Sequence, residues 1–150
     1  MRTLLISIIS VFLFLSQAIA DDGLITIKSP YDVKTTADRL EAALKTKGMT
    51  VFARIDHAAG AQKVAQELRP TELVIFGNPK VGTPLIQCAQ SIAIDLPQKA
   101  LIRRDAAGLV WLSYNDPAYL AARHGITGCD EVVKKIQIAL GNFAKAATMQ

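Results

Sequence analysis

Apolar residues recur with strand-like spacing in some segments of this chain and with helix-like spacing in others. The order of these segments constrains the fold more than any other feature of the sequence. Between Met49 and Ile55 every second residue is apolar, which predicts a β-strand with one buried face. Ala37, Leu40 and Leu44 instead recur at helical spacing and predict an amphipathic helix. Strand-like and helix-like segments alternate in the first half of the chain, and strand-like segments then follow one another.

These patterns predict elements in the order β-α-β-α-β-α-β-β-β-α-α. The predicted strands are residues 24–28, 49–55, 73–76, 92–96, 99–104 and 109–114. The predicted helices are residues 35–47, 57–69, 84–90, 117–124 and 130–147. A turn at residues 105–108 joins the last two strands as a hairpin. We therefore predict one α+β domain, with a mixed β-sheet and helices largely packed on one face.

The first twenty residues have the layout of a secretory signal peptide. Arg2 supplies a basic start, residues 4–15 are apolar except for two serines, and small residues precede Asp21. This layout predicts cleavage after Ala20, which leaves residues 21–150 as the mature domain. Because the apolar run is short for a membrane span, an uncleaved anchor is the less favoured alternative. We expect a periplasmic protein with no stable membrane insertion after cleavage.

The composition argues against several classes of protein. Apolar residues make up 51% of the chain and charged residues 20%, which is unlike a disordered or low-complexity protein. The formal net charge is +4, but the basic residues are scattered along the chain and only one Trp is present. Nucleic-acid-binding domains usually concentrate basic residues on one face. We therefore predict that nucleic acid is not a partner.

The chain has two cysteines, Cys88 and Cys129. An even number of thiols in an exported protein is typical of a structural disulfide. Two buried free thiols, or a redox or metal-binding pair, are alternatives that the spacing leaves open. The sequence contains no CxxC motif, which makes a catalytic redox pair the least favoured of the three.

Polar residues at the predicted strand-to-helix junctions are the candidates for a binding site. Glycines, prolines, an Asn and a Lys fill residues 77–84, where backbone N–H groups at a helix start would suit an anionic group. The alternative is that these residues only satisfy turns and helix caps. The candidate ligand-binding residues from all three junctions are Asp56, His57, Asn78, Lys80, Thr83 and Tyr114.

The two histidines, His57 and His124, raise the possibility of catalysis or metal binding. His57 would serve as the general base of a hydrolase or isomerase, with Asp56 or Asp116 as its carboxylate. His124 stands at a predicted helix end, where capping is the favoured interpretation. Both imidazoles with one carboxylate would hold a divalent metal if they shared a cleft. No metal or cofactor motif is present, so we assign no metal site and no cofactor. Asp95 is expected to bond local backbone.

Four segments of the chain resemble the Domain of Unknown Function 302 (DUF302) family. They are residues 55–59 (IDHAA), 76–85 (FGNPKVGTPL), 95–97 (DLP) and 111–117 (WLSYNDP). The resemblance extends from about residue 24 to residue 147. It implies a small α+β domain that forms homodimers and is often exported, with no established activity and therefore no catalytic residues to carry over. Cys88 and Cys129 are not part of the family pattern.

We therefore predict a periplasmic, dimeric, non-enzymatic domain that binds a small ligand, a metal or a periplasmic protein at its strand-end loops. An enzyme that uses His57 is the first alternative. A purely structural interaction module is the second, and it is favoured if the junctions point to separate places.

Overall fold

The computed structural model describes residues 23–149, so the predicted signal peptide and its cleavage site lie outside the described residues. The strands are β1 Leu24–Ser29, β2 Thr50–Asp56, β3 Thr71–Gly77, β4 Gln98–Arg104 and β5 Val110–Asn115. The α-helices are α1 Val33–Thr46, α2 His57–Gln62, α3 Pro79–Cys88, α4 Pro117–Arg123 and α5 Asp130–Thr148. A 3-10 helix, Gln90–Ile94, separates α3 from β4. The predicted single α+β domain is confirmed.

The strands form one five-stranded sheet in the order β1-β5-β4-β3-β2. Every neighbouring pair is antiparallel, so the sheet differs from the predicted mixed sheet. The difference arises because a helix between two strands does not oblige those strands to be parallel neighbours. α1 carries the chain from β1 at one side of the sheet to β2 at the other, whereas α2 and α3 lie within connections that reverse direction.

Three elements were predicted with the wrong type or length. The predicted strand 92–96 is the 3-10 helix, because alternating apolar residues over so short a run fit either structure. The predicted helix 57–69 ends at Gln62, and its expected apolar stripe is not buried, since Val64 and Leu68 are 67% and 49% exposed. Helix α3 begins at Pro79, five residues before the predicted start, because Asn78 rather than Thr83 caps it.

One face of the sheet is covered by α1 and α5, as predicted. Leu40 of α1 and Leu140 of α5 are almost completely buried with Val74 and Phe76 of β3. The Phe76 ring meets the Phe143 ring edge to face, with centroids 6.3 Å apart, which joins α5 to the sheet. Within residues 23–149, no helix combines the length and apolar content needed to cross a membrane.

A disulfide between Cys88 and Cys129 joins the end of α3 to the residue before α5. Their Cα atoms lie 6.4 Å apart. Of the three alternatives for the cysteines, the structural disulfide is therefore the one that the fold realises. It fixes a connection in which few side chains are buried, since Leu85 is the buried residue of α3.

Breaking this disulfide should lower the free energy of unfolding by about 3–4 kcal/mol, because it closes a loop of 41 residues in the unfolded chain. The measurement is urea denaturation of the oxidised protein, of the reduced protein and of the double variant C88S/C129S. The reduced protein and the double variant should share one midpoint. Equal midpoints for all three proteins would contradict the prediction.

An ion network around Arg54 joins the outer strand β2 to β3 and α1. The guanidinium bonds Glu72 through Nε, and its Nη1 lies 2.6 Å from Asp38 and 3.0 Å from Glu41. Glu72 chiefly, with help from the other two carboxylates, raises the pKa of Arg54. Hydrogen bonds from lysines first, and from Arg54 second, lower the pKa values of Asp38 and Glu41.

Replacing Arg54 with Met should lower the free energy of unfolding by about 1–2 kcal/mol at neutral pH, since Glu72 is only 12% exposed and loses its cation. Asp38 and Glu41 have folded pKa values below their unfolded values. Their contribution is therefore complete above about pH 5 and is lost as the pH falls through about 4. Over that acid range, denaturation curves should show a smaller decrease in the free energy of unfolding for R54M than for the wild-type protein.

A matched control is the substitution of Lys34 by Gln. Lys34 bonds Asp38 at 2.7 Å but its side chain is 81% exposed, so its loss should change stability by less than about 0.5 kcal/mol. If K34Q lowered the free energy of unfolding as much as R54M, the stabilisation would come from exposed charge alone and not from the partly buried contacts of Arg54.

Candidate functional site

The antiparallel register divides the strand ends between two edges of the sheet. One edge, which we name the Gly77 edge, contains Thr50, Gly77, Gln98 and Asn115. The opposite edge, named the Asp56 edge, holds the other ends of the same strands. Because β2 and β3 run in opposite directions, the junctions that follow them lie at opposite edges. The junction residues therefore cannot all line one site.

An apolar groove of about 830 Å³ opens at the Gly77 edge, between the sheet and helices α1, α3 and α5. Its walls include Leu85 and Ile86 from α3 and Leu140 and Phe143 from α5. Ligand pockets in proteins span about 300–1,000 Å³ and are lined mainly by apolar side chains. In size and lining, the groove has the character of a small-molecule site.

Phe52 and Gly77 shape the mouth of the groove. A register shift between Val51 and Ala53 bulges β2 at Phe52, whose ring lines the groove and remains 55% exposed. A Cβ added at Gly77 would lie 3.2 Å from Cε2 of Phe52 and 3.5 Å from Cβ of Pro97. The absence of a side chain at residue 77 therefore lets these two rings close over the strand end.

The groove has polar groups along its rim and one charged side chain. Lys47, which follows α1, is the charged residue among the described residues that line it. Asn78 and Thr83 contribute an amide and a hydroxyl, and Gln98 and Asn142 add two more amides. A ligand in the groove would thus meet apolar walls and several residues with neutral hydrogen-bonding groups, with the exposed Lys47 beside them.

Three of the six predicted ligand-binding residues belong to the segment beside this groove. Asn78 and Thr83 line it, whereas Lys80 is exposed and does not. The Asn78 side chain accepts a hydrogen bond from the N–H of Lys80 at 2.9 Å and donates one to the carbonyl of Gly48 at 3.0 Å. Asn78 thereby begins α3 and ties it to the turn after α1, which fixes one wall of the groove.

Asp56 and His57 lie at the opposite edge of the sheet. Asp56 caps the short helix α2 by accepting the N–H of Ala59 at 2.9 Å, and both residues are exposed. No hydrogen bond or ion pair joins His57 to a carboxylate within residues 23–149. Asp116 caps α4 at the Gly77 edge, so the pair proposed with His57 is not assembled.

Tyr114 is buried under α5 rather than presented at the rim. It is 6% exposed, and a Cβ added at Gly141 of α5 would lie 4.0 Å from its hydroxyl oxygen. Burial first, and the charge of Asp116 second, raise the pKa of Tyr114. Tyr114 therefore contributes to the core between β5 and α5.

His124 makes contacts that the sequence did not predict. It ends α4, as expected, but its ring lies between Ser91 and Asp95 at distances of 3.0 and 2.6 Å. The expectation that the Asp95 side chain bonds local backbone is wrong, since it bonds His124 and Arg123 instead. His57 and His124 do not share a cleft, and residues 23–149 contain no group of three or more His, Cys, Asp or Glu residues that would hold a metal.

Two relatives from Brucella match most of this chain. One is named fluoride-specific ion channel FluC 1 from Brucella suis biovar 1 (strain 1330), and it is 45% identical over 131 residues. That match covers 87% of this chain and 52% of the relative. A protein of the same name from Brucella abortus biovar 1 (strain 9-941) is also 45% identical, with 48% of its length covered. The chain thus spans about half the length of these relatives, whose name refers to the whole proteins.

A solved structure and a family model agree with the fold. The structure is the crystal structure of an uncharacterized conserved protein DUF302 from Bacillus stearothermophilus, with a TM-score of 0.75 and 17% sequence identity. The match covers 84% of this chain and 98% of that chain, which shows a common fold. The family model for the domain of unknown function DUF302 matches residues 25–143. This chain therefore belongs to the DUF302 family.

Proposed function

We propose that this chain is an exported binding domain that holds one small apolar molecule with an anionic end in the apolar groove. The observation that carries the proposal is a groove of about 830 Å³ whose lining is apolar except for neutral polar groups and Lys47. Transfer of an apolar chain from water into such a groove is favourable by about 25 cal/mol per Å² of buried surface. An anionic end at Lys47 would add an attraction and fix the orientation.

The lining supports a small molecule over a metal. The described lining has no carboxylate, imidazole or thiolate, and neutral amides and hydroxyls beside a lysine are a poor ligand set for a divalent cation. The partly exposed Phe52 ring offers apolar contact area at the mouth, which a bound chain would cover. A protein segment inserted in the groove is the competing occupant, and it would use the same apolar walls.

Export and dimer formation are part of the proposal. The Cys88–Cys129 disulfide supports an oxidising compartment, since such bonds persist outside the cytoplasm. The homodimer implied by the family resemblance stays a prediction.

Light scattering of the oxidised protein should give twice the mass of the mature chain, and a monomeric mass would contradict the predicted dimer.

The proposal predicts that dodecanoate, a twelve-carbon carboxylate, binds the oxidised protein with one-to-one stoichiometry in isothermal titration calorimetry. Replacing Val81 with Asp should weaken binding by more than about tenfold, because it places a carboxylate in the apolar wall. Val81 is 39% exposed, so V81D should leave the fold intact. Replacing Lys47 with Gln should weaken dodecanoate binding about three- to tenfold, as expected for the loss of an exposed charge pair.

Two comparisons separate the contribution of Lys47 from that of net charge. Lys80→Gln removes the same charge from an exposed lysine that does not line the groove, and it should bind dodecanoate like the wild-type protein. Dodecanol, which is neutral, should bind K47Q and wild-type protein equally. Failure of both dodecanoate and dodecanol to bind the wild-type protein would refute the proposed function.

A further inference from the structure

Ser91, His124 and Asp95 form a chain of hydrogen bonds outside the groove. The hydroxyl oxygen of Ser91 lies 3.0 Å from Nδ1 of His124, and Nε2 of His124 lies 2.6 Å from Oδ2 of Asp95. Nη1 of Arg123 lies 3.3 Å from the other carboxylate oxygen. Serine, imidazole and carboxylate in this order are the groups that activate a serine hydroxyl as a nucleophile.

The burial of the three side chains differs in a way that suits this chemistry. The side chains of His124 and Asp95 are 8% and 14% exposed, so the imidazole and its carboxylate are shielded from water. Ser91, by contrast, is exposed on the 3-10 helix and accessible to a substrate. A shielded base beside an accessible hydroxyl is the arrangement that nucleophilic catalysis requires.

The disulfide holds the two segments that carry these side chains. Cys88 precedes Ser91 by three residues, and Cys129 follows His124 by five. The covalent link between α3 and the start of α5 therefore limits how far the 3-10 helix and the end of α4 can separate. Because the fold already holds the hydroxyl and the imidazole close together, no entropy has to be lost to bring them together during a reaction.

The proton positions follow from the charge of Asp95. An ionised carboxylate accepts the N–H of the imidazole at Nε2, which leaves the lone pair of Nδ1 directed at the Ser91 hydroxyl. Oδ1 of Asp95 also accepts a hydrogen bond from Nη1 of Arg123 at 3.3 Å. The tautomer of His124 that accepts a proton from Ser91 is thus the one that its neighbours favour.

We propose that Ser91, His124 and Asp95 are a hydrolytic site for small carboxylic esters. Oγ of Ser91 forms a bond to the ester carbonyl carbon while its proton passes to Nδ1 of His124. The bond to the alcohol oxygen then breaks, and His124 returns the proton to that oxygen. A water molecule then gives a proton to the same nitrogen and attacks the acyl carbon. The bond from that carbon to Oγ of Ser91 breaks, and His124 returns the proton to Oγ, which releases the carboxylic acid and restores the hydroxyl.

Within this site each residue has one role. Ser91 is the nucleophile, His124 the general base and acid, and Asp95 the positioning residue that orients the imidazole. Arg123 is 54% exposed and bonds Asp95 through Nη1, which helps to hold the carboxylate beside the imidazole. This activity does not depend on occupancy of the groove.

The test is covalent labelling of the oxidised protein with a fluorophosphonate, which reacts with activated serines. The protein is expressed from the complete chain and purified from an exporting host, and the modified peptide is identified by mass spectrometry. One adduct on Ser91 is expected, together with hydrolysis of p-nitrophenyl acetate. Ser91→Ala should abolish both, and His124→Asn should slow the labelling at least tenfold, as for the loss of a general base.

Matched controls separate catalysis from folding and from surface reactivity. His57→Asn alters the other histidine, exposed at the Asp56 edge, and Gln90→Ala alters an exposed neighbour of Ser91; both should label at the wild-type rate. Asp95→Asn is the substitute variant if His124→Asn does not fold, because it keeps the shape of the side chain. It should also slow the labelling. An unmodified Ser91 in the wild-type protein, or equal labelling rates in a folded His124 or Asp95 variant, would overturn the proposal.

Discussion

The antiparallel pairing of β2 with β3 is the constraint on which the arrangement of this domain depends. It reverses the chain between two neighbouring strands, so the residues after β2 and the residues after β3 lie at opposite edges of the sheet. Asp56 and His57 are thereby separated from Asn78 and Thr83. One face of the sheet is covered by α1 and α5, and the short helix α3 forms a further wall of the groove at the Gly77 edge.

The apolar groove results from how that edge is built. α3 has Leu85 as its buried residue, so it forms a wall rather than filling the space above the core. The bulge in β2 turns Phe52 toward the opening, and Gly77 leaves room for the ring. A larger residue at position 77 would force the ring aside, and a regular β2 would place residue 52 in the ladder. Local irregularities of backbone thus create the site.

The disulfide and the Arg54 network stabilise different parts of the same fold. Arg54 neutralises carboxylates from a helix and a neighbouring strand, which secures β2 as an outer strand. Cys88–Cys129 secures the connection that contains α3 and the 3-10 helix, where little apolar surface is buried. The α3 wall of the groove and Ser91 both lie on that connection, and His124 contacts Ser91 from the end of α4. In this connection the disulfide therefore supplies stability that side-chain packing does not.

The long periodic segments were predictable because the apolar residues of their buried face recur at regular spacing along the sequence. The residues of α1 and α5 that cover the sheet, including Leu40, Leu44, Ile136 and Leu140, are those of the apolar stripes. The 3-10 helix and the early end of α2 were not predictable, because short apolar runs fit more than one structure. Asn78 and Thr83 could be identified from the unusual composition of their junction. Lys47, Phe52 and Ser91 could not, since nothing in their own segments marks them. Asp95 was noted in the DLP segment, but its partners Arg123 and His124 lie too far along the chain to be predicted from it.

The sequence by itself determined the α+β class, the order of most elements and the hairpin between β4 and β5, because each depends on residues within a few positions of one another. The tertiary structure alone decided the strand order, the pairing of Cys88 with Cys129, the groove at the Gly77 edge and the contact of His124 with Asp95 and Ser91. These features join residues that are 29 to 41 positions apart or lie on strands whose direction local periodicity does not specify. Hydrophobic period reports which face of an element is buried, and it carries no information on which distant element covers that face.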